Sequence, residues 1–116
     1  MIETTSKQFK VFKKSARKWA KRLGLTQYRL DFERRPLGDA YATCMADGSL
    51  CVATMAMTSA ICDDEVKLFD PKGCGKHEAL HLLISRMHML GQMRFIRNDE
   101  LDEENEAIVR RLEKVL

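Results

Sequence analysis

Apolar residues recur at three- and four-residue steps near the start of the chain: Phe9, Phe12, Ala16, Trp19, Ala20 and Leu23. That spacing puts them on one stripe of an amphipathic helix over residues 5–23. Lysines and arginines fill its opposite face. Thr4, Thr5 or Ser6 can cap the start, and Gly24 stops it. The period then changes to two. Tyr28, Leu30 and Phe32 alternate with Arg29, Asp31 and Glu33, which predicts a half-buried strand. Arg34 to Asp39 breaks it.

Ala40 to Met57 reads as a hairpin turning at Asp47-Gly48. A turn there sets Ala46 against Ser49, Met45 against Leu50 and Cys44 against Cys51. Both faces carry apolar residues, so helices should cover at least one. The connection from Thr58 to Phe69 has no clear period. Asp63-Asp64-Glu65 suits a solvated turn, and Val66 to Phe69 are expected to tuck into the core. Asp70-Pro71 looks like a helix start, with proline at the first helical position. The helix is expected to run to Leu90 and to stop at Gly91. A last helix covers Leu101 to Leu116, with Leu101, Ile108, Leu112 and Val115 on one face.

The second helix carries the chemistry. His77-Glu78-Ala79-Leu80-His81 places two imidazoles one turn apart, about 40° from each other around the axis. They can grip one metal ion. Glu78 points about 100° away from His77, too far to join the pair, yet near enough to reach a water on the metal. Such a short pattern also arises by chance on surface helices. Here, however, two of the chain's 3 histidines fall within it. Leu80, Leu82, Leu83, Ile84, Met87 and Leu90 mark the helix as buried, and buried histidines need partners. Gly73-Cys74-Gly75-Lys76 is not a phosphate loop: Asp70 stands where the first glycine belongs, and His77 where Ser or Thr belongs.

A hydrolytic zinc usually takes three protein ligands and a water. His88 faces the same side but lies about 10 Å beyond His81, out of reach unless the helix breaks. The last helix offers Asp102, Glu103, Glu104 and Glu106. Glu104 sits on the edge of the apolar face, a turn before Ile108, and is the preferred third ligand. A slip in helix phase would substitute Glu103 or Glu106. The plain alternative is an acidic cluster solvated at a helix N-terminus, where the dipole favours it.

Composition narrows the rest. A chain of 116 residues with 45% hydrophobic content is expected to form one domain, 1–116. No apolar run approaches a membrane span and no signal peptide opens the chain, so a cytoplasmic location and no membrane partner are expected. Cys44, Cys51, Cys62 and Cys74 form no Cys-x-x-Cys pair and are expected as free thiols, with Cys74 a minor candidate for the metal. Net charge is +3, but residues 7–22 hold eight basic side chains and no acid. A nucleic-acid or acidic-partner surface is one reading. A solvated face is preferred, because no aromatics interleave with the cations.

The order of helix, short strands, His77-Glu78-Ala79-Leu80-His81 and a Glu-bearing last helix resembles a minimal gluzincin, similar to small metallopeptidases encoded by phages and prophages. The likeness runs from Trp19 with Leu23-Gly24-Leu25 to Glu103-Glu104-Asn105-Glu106-Ala107-Ile108-Val109-Arg110-Arg111-Leu112-Glu113. It implies a zincin-like α+β fold with a small three-stranded antiparallel or mixed sheet packed on the motif helix. It implies an extended peptide or protein substrate pairing with a strand within Leu50 to Met57. Tyr28, Tyr41 and His88 are the residues available to stabilise an oxyanion. The expected function is zinc-dependent peptide hydrolysis, with Zn²⁺ on His77, His81 and Glu104 and with Glu78 as general base. The rival is a non-catalytic, metal-stabilised binding protein that uses its basic helix on nucleic acid or another partner.

Overall fold

The computed structural model describes residues 1–93 and 96–115. Its class is α+β. The elements are β1 (Ile2–Glu3), α1 (Ser6–Arg22), β2 (Arg29–Arg35), β3 (Ala42–Asp47), β4 (Val52–Thr58), β5 (Ala60–Ile61), a 3-10 turn at Asp63–Glu65, α2 (Pro71–Gln92) and α3 (Asn98–Glu113). The expected end of the last helix at Leu116 lies outside the described residues.

α1 starts where the sequence allows it to start. Thr5 accepts from the Gln8 amide, and the Gln8 side chain accepts from the Thr5 amide, so two otherwise orphaned N–H groups are satisfied. Gly24 follows the helix at φ +73°, a backbone that favours glycine. The predicted stripe is the buried one: Phe12, Ala16, Ala20 and Leu23 are buried, with Phe9 and Trp19 partly so.

The main sheet is mixed, in the order β2-β4-β3. β4 lies between its neighbours, parallel to β2 and antiparallel to β3. Its Ala53, Met55 and Met57 are fully buried. Leu30 and Phe32 flank them on β2, and Ala42, Cys44 and Ala46 on β3. This face meets the helices; Phe12 of α1 stands edge-on to Phe32, with ring centroids 6.2 Å apart. β1 and β5 pair separately in a two-stranded ladder.

Three expectations need correction. The hairpin register pairs Asp47 with Val52 and Cys44 with Met55, so Cys44 does not face Cys51. The turn is longer than Asp47-Gly48 alone: the Asp47 carboxylate accepts from the Ser49 and Leu50 amides, and Cys51 turns the chain at φ +53°. Second, of Val66 to Phe69 only Phe69 is buried; Leu68 is 72% exposed. Third, the segment Leu50 to Met57 supplies the central strand, whose two edges are both paired, so an incoming peptide cannot add to it. The free edge beside α2 belongs to β3.

No helix among the described residues is long and apolar enough to cross a membrane.

Candidate metal centre

α2 begins at Pro71, with the Cys74 amide closing the first helical hydrogen bond on the Asp70 carbonyl. Asp70 has the extended cap backbone but makes no side-chain cap. The helix is held instead by α1. Ser15, buried on α1, donates to the Lys72 carbonyl at 2.6 Å. At Gly75 the two backbones nearly touch, for a Cβ there would stand 2.6 Å from the Phe12 carbonyl oxygen and 2.8 Å from the Ala16 nitrogen. Glycine is required by this close approach. It fixes the first turns of α2 two residues before His77.

Going round α2, His77 and His81 stand about 200–240° from Gly75, on the side away from α1. Their Nε2 atoms are 3.1 Å apart and the rings are nearly perpendicular. Two nitrogens bound at ~2.0–2.1 Å to a tetrahedral ion stand about 3.3–3.4 Å apart, so the imidazoles are already at nearly the chelating separation. Glu78 is 4% exposed. Burial raises its carboxyl pKa, while the imidazoles of His77 and His81 pull it the other way. Ligand atoms of His77, Glu78 and His81 all lie within 4.8 Å of one another, a group that could hold a metal ion.

The helix is less buried than the run of leucines suggests. Leu82, Leu83 and Leu90 enter the core, but Leu80 and Ile84 are 37% and 44% exposed, and His77 and His81 are themselves exposed rather than buried as expected. α2 runs without a break to Gln92, so His88 stays on its own turn, away from the pair.

Two clefts adjoin at Ala42 and Glu78. The larger, of about 690 Å³, lies on the His81 side and includes Tyr28, Cys44, Arg86 and His88. The smaller, of about 440 Å³, lies on the His77 side and includes Tyr41 and Cys74. Together they border β3, whose Ala42, Cys44 and Ala46 are small enough to leave the space open. Each residue named as a possible oxyanion stabiliser therefore lines one cleft or the other.

Glu104 is buried on α3 while Asp102, Glu103 and Glu106 are exposed, as helical phase predicts. It is not one of the clustered ligand groups. Its Oε2 accepts from Arg86 Nε at 3.1 Å, and its side chain is 11% exposed against 56% for Arg86. Sequence reasoning missed Arg86. The available signal was the inward carboxylate itself, which needs a cation or a metal, and Arg86 is an arginine on the helix that α3 packs against.

Burial pushes the Cys44 and Cys74 thiols up to about 11, with the nearby carboxylates of Glu78, and for Cys74 of Asp70, adding to it. Only the thiolate alkylates, so near pH ~8 about one thiol in a thousand would be reactive at such a pKa. With chelator present, iodoacetamide should therefore label the exposed Cys62 well before Cys44 or Cys74. Peptide mapping over a time course would show the order, and equal rates would contradict the burial described.

No protein-family model, curated protein or solved structure matches the chain.

Proposed function

We propose that the protein is a zinc-dependent metallopeptidase of the minimal gluzincin type. The observation that carries this reading is the pair of Nε2 atoms 3.1 Å apart beside a buried carboxylate, facing a groove along a free strand edge. His77 and His81 would hold the ion, with Glu104 as third ligand once it exchanges Arg86 for the metal. Bound zinc supplies Lewis acidity and lowers the pKa of a coordinated water towards ~7. Glu78 takes a proton from the attacking water and delivers it to the leaving amine. The substrate is an extended peptide or protein segment lying along β3, whose outer edge offers backbone donors and acceptors. Phage association and a cytoplasmic setting belong to the same reading.

Glu78→Gln tests it directly. Hydrolysis of an unfolded protein substrate should fall by a factor of about 100 or more, the scale of general-base catalysis. Zinc content should stay at the wild-type level, since Glu78 is not a ligand in this scheme. A variant that loses zinc as completely as His81→Ala, or that keeps wild-type turnover, would refute the assignment.

A further inference from the structure

The exposed face of α1 is a strongly basic surface that the proposed hydrolysis does not use. Between Thr4 and Leu30 the chain has no acidic residue. Lys7, Lys10, Lys14, Arg17, Lys18 and Lys21 are all exposed. They fall within about 100° around the helix axis and extend about 21 Å along it. Elsewhere Arg29, Arg35, Arg86, Arg97 and Arg110 each have a carboxylate within 4.0 Å. Among the described residues, no α1 cation has such a partner.

We propose that this face binds double-stranded DNA through its phosphates, without sequence preference. Three alternatives fit the surface less well. A basic amphipathic helix on a membrane needs its apolar face free to insert, but here Phe12, Ala16 and Ala20 are buried in the core. Single strands need aromatic platforms on which bases can stack. The aromatics of α1 are already covered: Arg22 and Lys76 both lie 4.6 Å from the Trp19 ring centre, and Lys13 lies 4.7 Å from that of Phe9. Duplex RNA has a deep, narrow major groove, whereas that of B-form DNA admits a helix. Lysines dominate the stripe, and they act as point charges on phosphates rather than as the forked donors that read bases. Because α1 packs on the side of α2 away from His77 and His81, bound DNA would leave the groove open. The surface would then tether the protein to DNA whatever the metal site does.

The test is fluorescence anisotropy with a labelled random-sequence DNA duplex, using the full chain with and without chelator. Binding should appear at low salt and weaken about 100-fold between ~50 and ~200 mM salt, as four or so phosphate contacts require. Chelator should not change it. Lys10→Glu/Lys14→Glu/Lys21→Glu should weaken binding at least about tenfold, while the arginine versions of the same three restore it. A control that reverses Lys67, Arg110 and Lys114 should bind as wild type. Melting curves of all variants establish that they fold. The proposal is overturned by no binding at low salt, by equal losses in the two triple reversals, or by tighter binding to single strands, duplex RNA or acidic vesicles.

Discussion

Gly75→Val is expected to destabilise the protein by roughly 3 kcal/mol or more, at the upper end of overpacking effects. A Cβ at Gly75 would stand 2.6 Å from the Phe12 carbonyl oxygen, 2.8 Å from the Ala16 nitrogen and 2.8 Å from Ser15 Cβ. Two of those atoms are backbone of α1 and cannot swing aside. The helices must separate. That would pull Phe12, Ala16 and Ala20 out of contact and break the bond from Ser15 to the Lys72 carbonyl. The metal centre should suffer as well, because the turn that carries His77 begins at this contact. Gly91→Ala on the same helix is the control. Among the described residues nothing lies within 4 Å of its missing Cβ, so alanine's better helix propensity should leave stability unchanged or raise it by up to ~1 kcal/mol. Chemical denaturation of both variants checks the pair. A Gly75→Val protein as stable as wild type would mean that α1 and α2 do not approach as described.

The same contact shows what a sequence can and cannot convey. The stripe on α1, the start of α2 at Asp70-Pro71 and the inward phase of Glu104 all follow from periodicity and caps, which are local. The function of Gly75 does not, because its partner lies about sixty residues earlier in the chain. Alternation identified β2 as a strand but carries no information on direction, so its parallel pairing with β4 was not legible. The hairpin was legible and its register was not: Asp47 is the residue that ends β3, but its carboxylate holds a longer turn than a two-residue signal implies. That shift exchanges Cys51 for Met55 opposite Cys44, while the parallel pairing of β4 with β2 leaves β3, not β4, at the edge beside the histidines. At the site, His77, Glu78 and His81 were readable because one helix carries all three. Arg86 was not, since it matters only through its distance to Glu104 on another helix.

Zinc should copurify at about one ion per chain, and saturating zinc should raise the melting temperature by on the order of 10 °C. The near-chelating separation of His77 and His81 motivates this, for metal that binds only the folded state adds its binding free energy to folding. His81→Ala should abolish the shift. The three carboxylate variants separate the ligand question from it. Glu103→Ala and Glu106→Ala, on exposed positions, should bind zinc as wild type does. Glu104→Ala should lose most of the affinity and most of the shift. It should also melt lower in chelator, because it leaves Arg86 without its carboxylate. Arg86→Ala distinguishes the two contributions. It removes the same ion pair but keeps the carboxylate, so it should melt lower in chelator and still bind zinc at least as tightly as wild type. Competition with a zinc indicator and melting curves in zinc and in chelator supply all the numbers. If Glu104→Ala binds zinc normally and merely melts lower in both conditions, Glu104 is Arg86's structural partner and the ion draws its third donor from elsewhere. If His81→Ala leaves both zinc content and the shift intact, the metal centre proposed on α2 is wrong, and the peptidase reading goes with it.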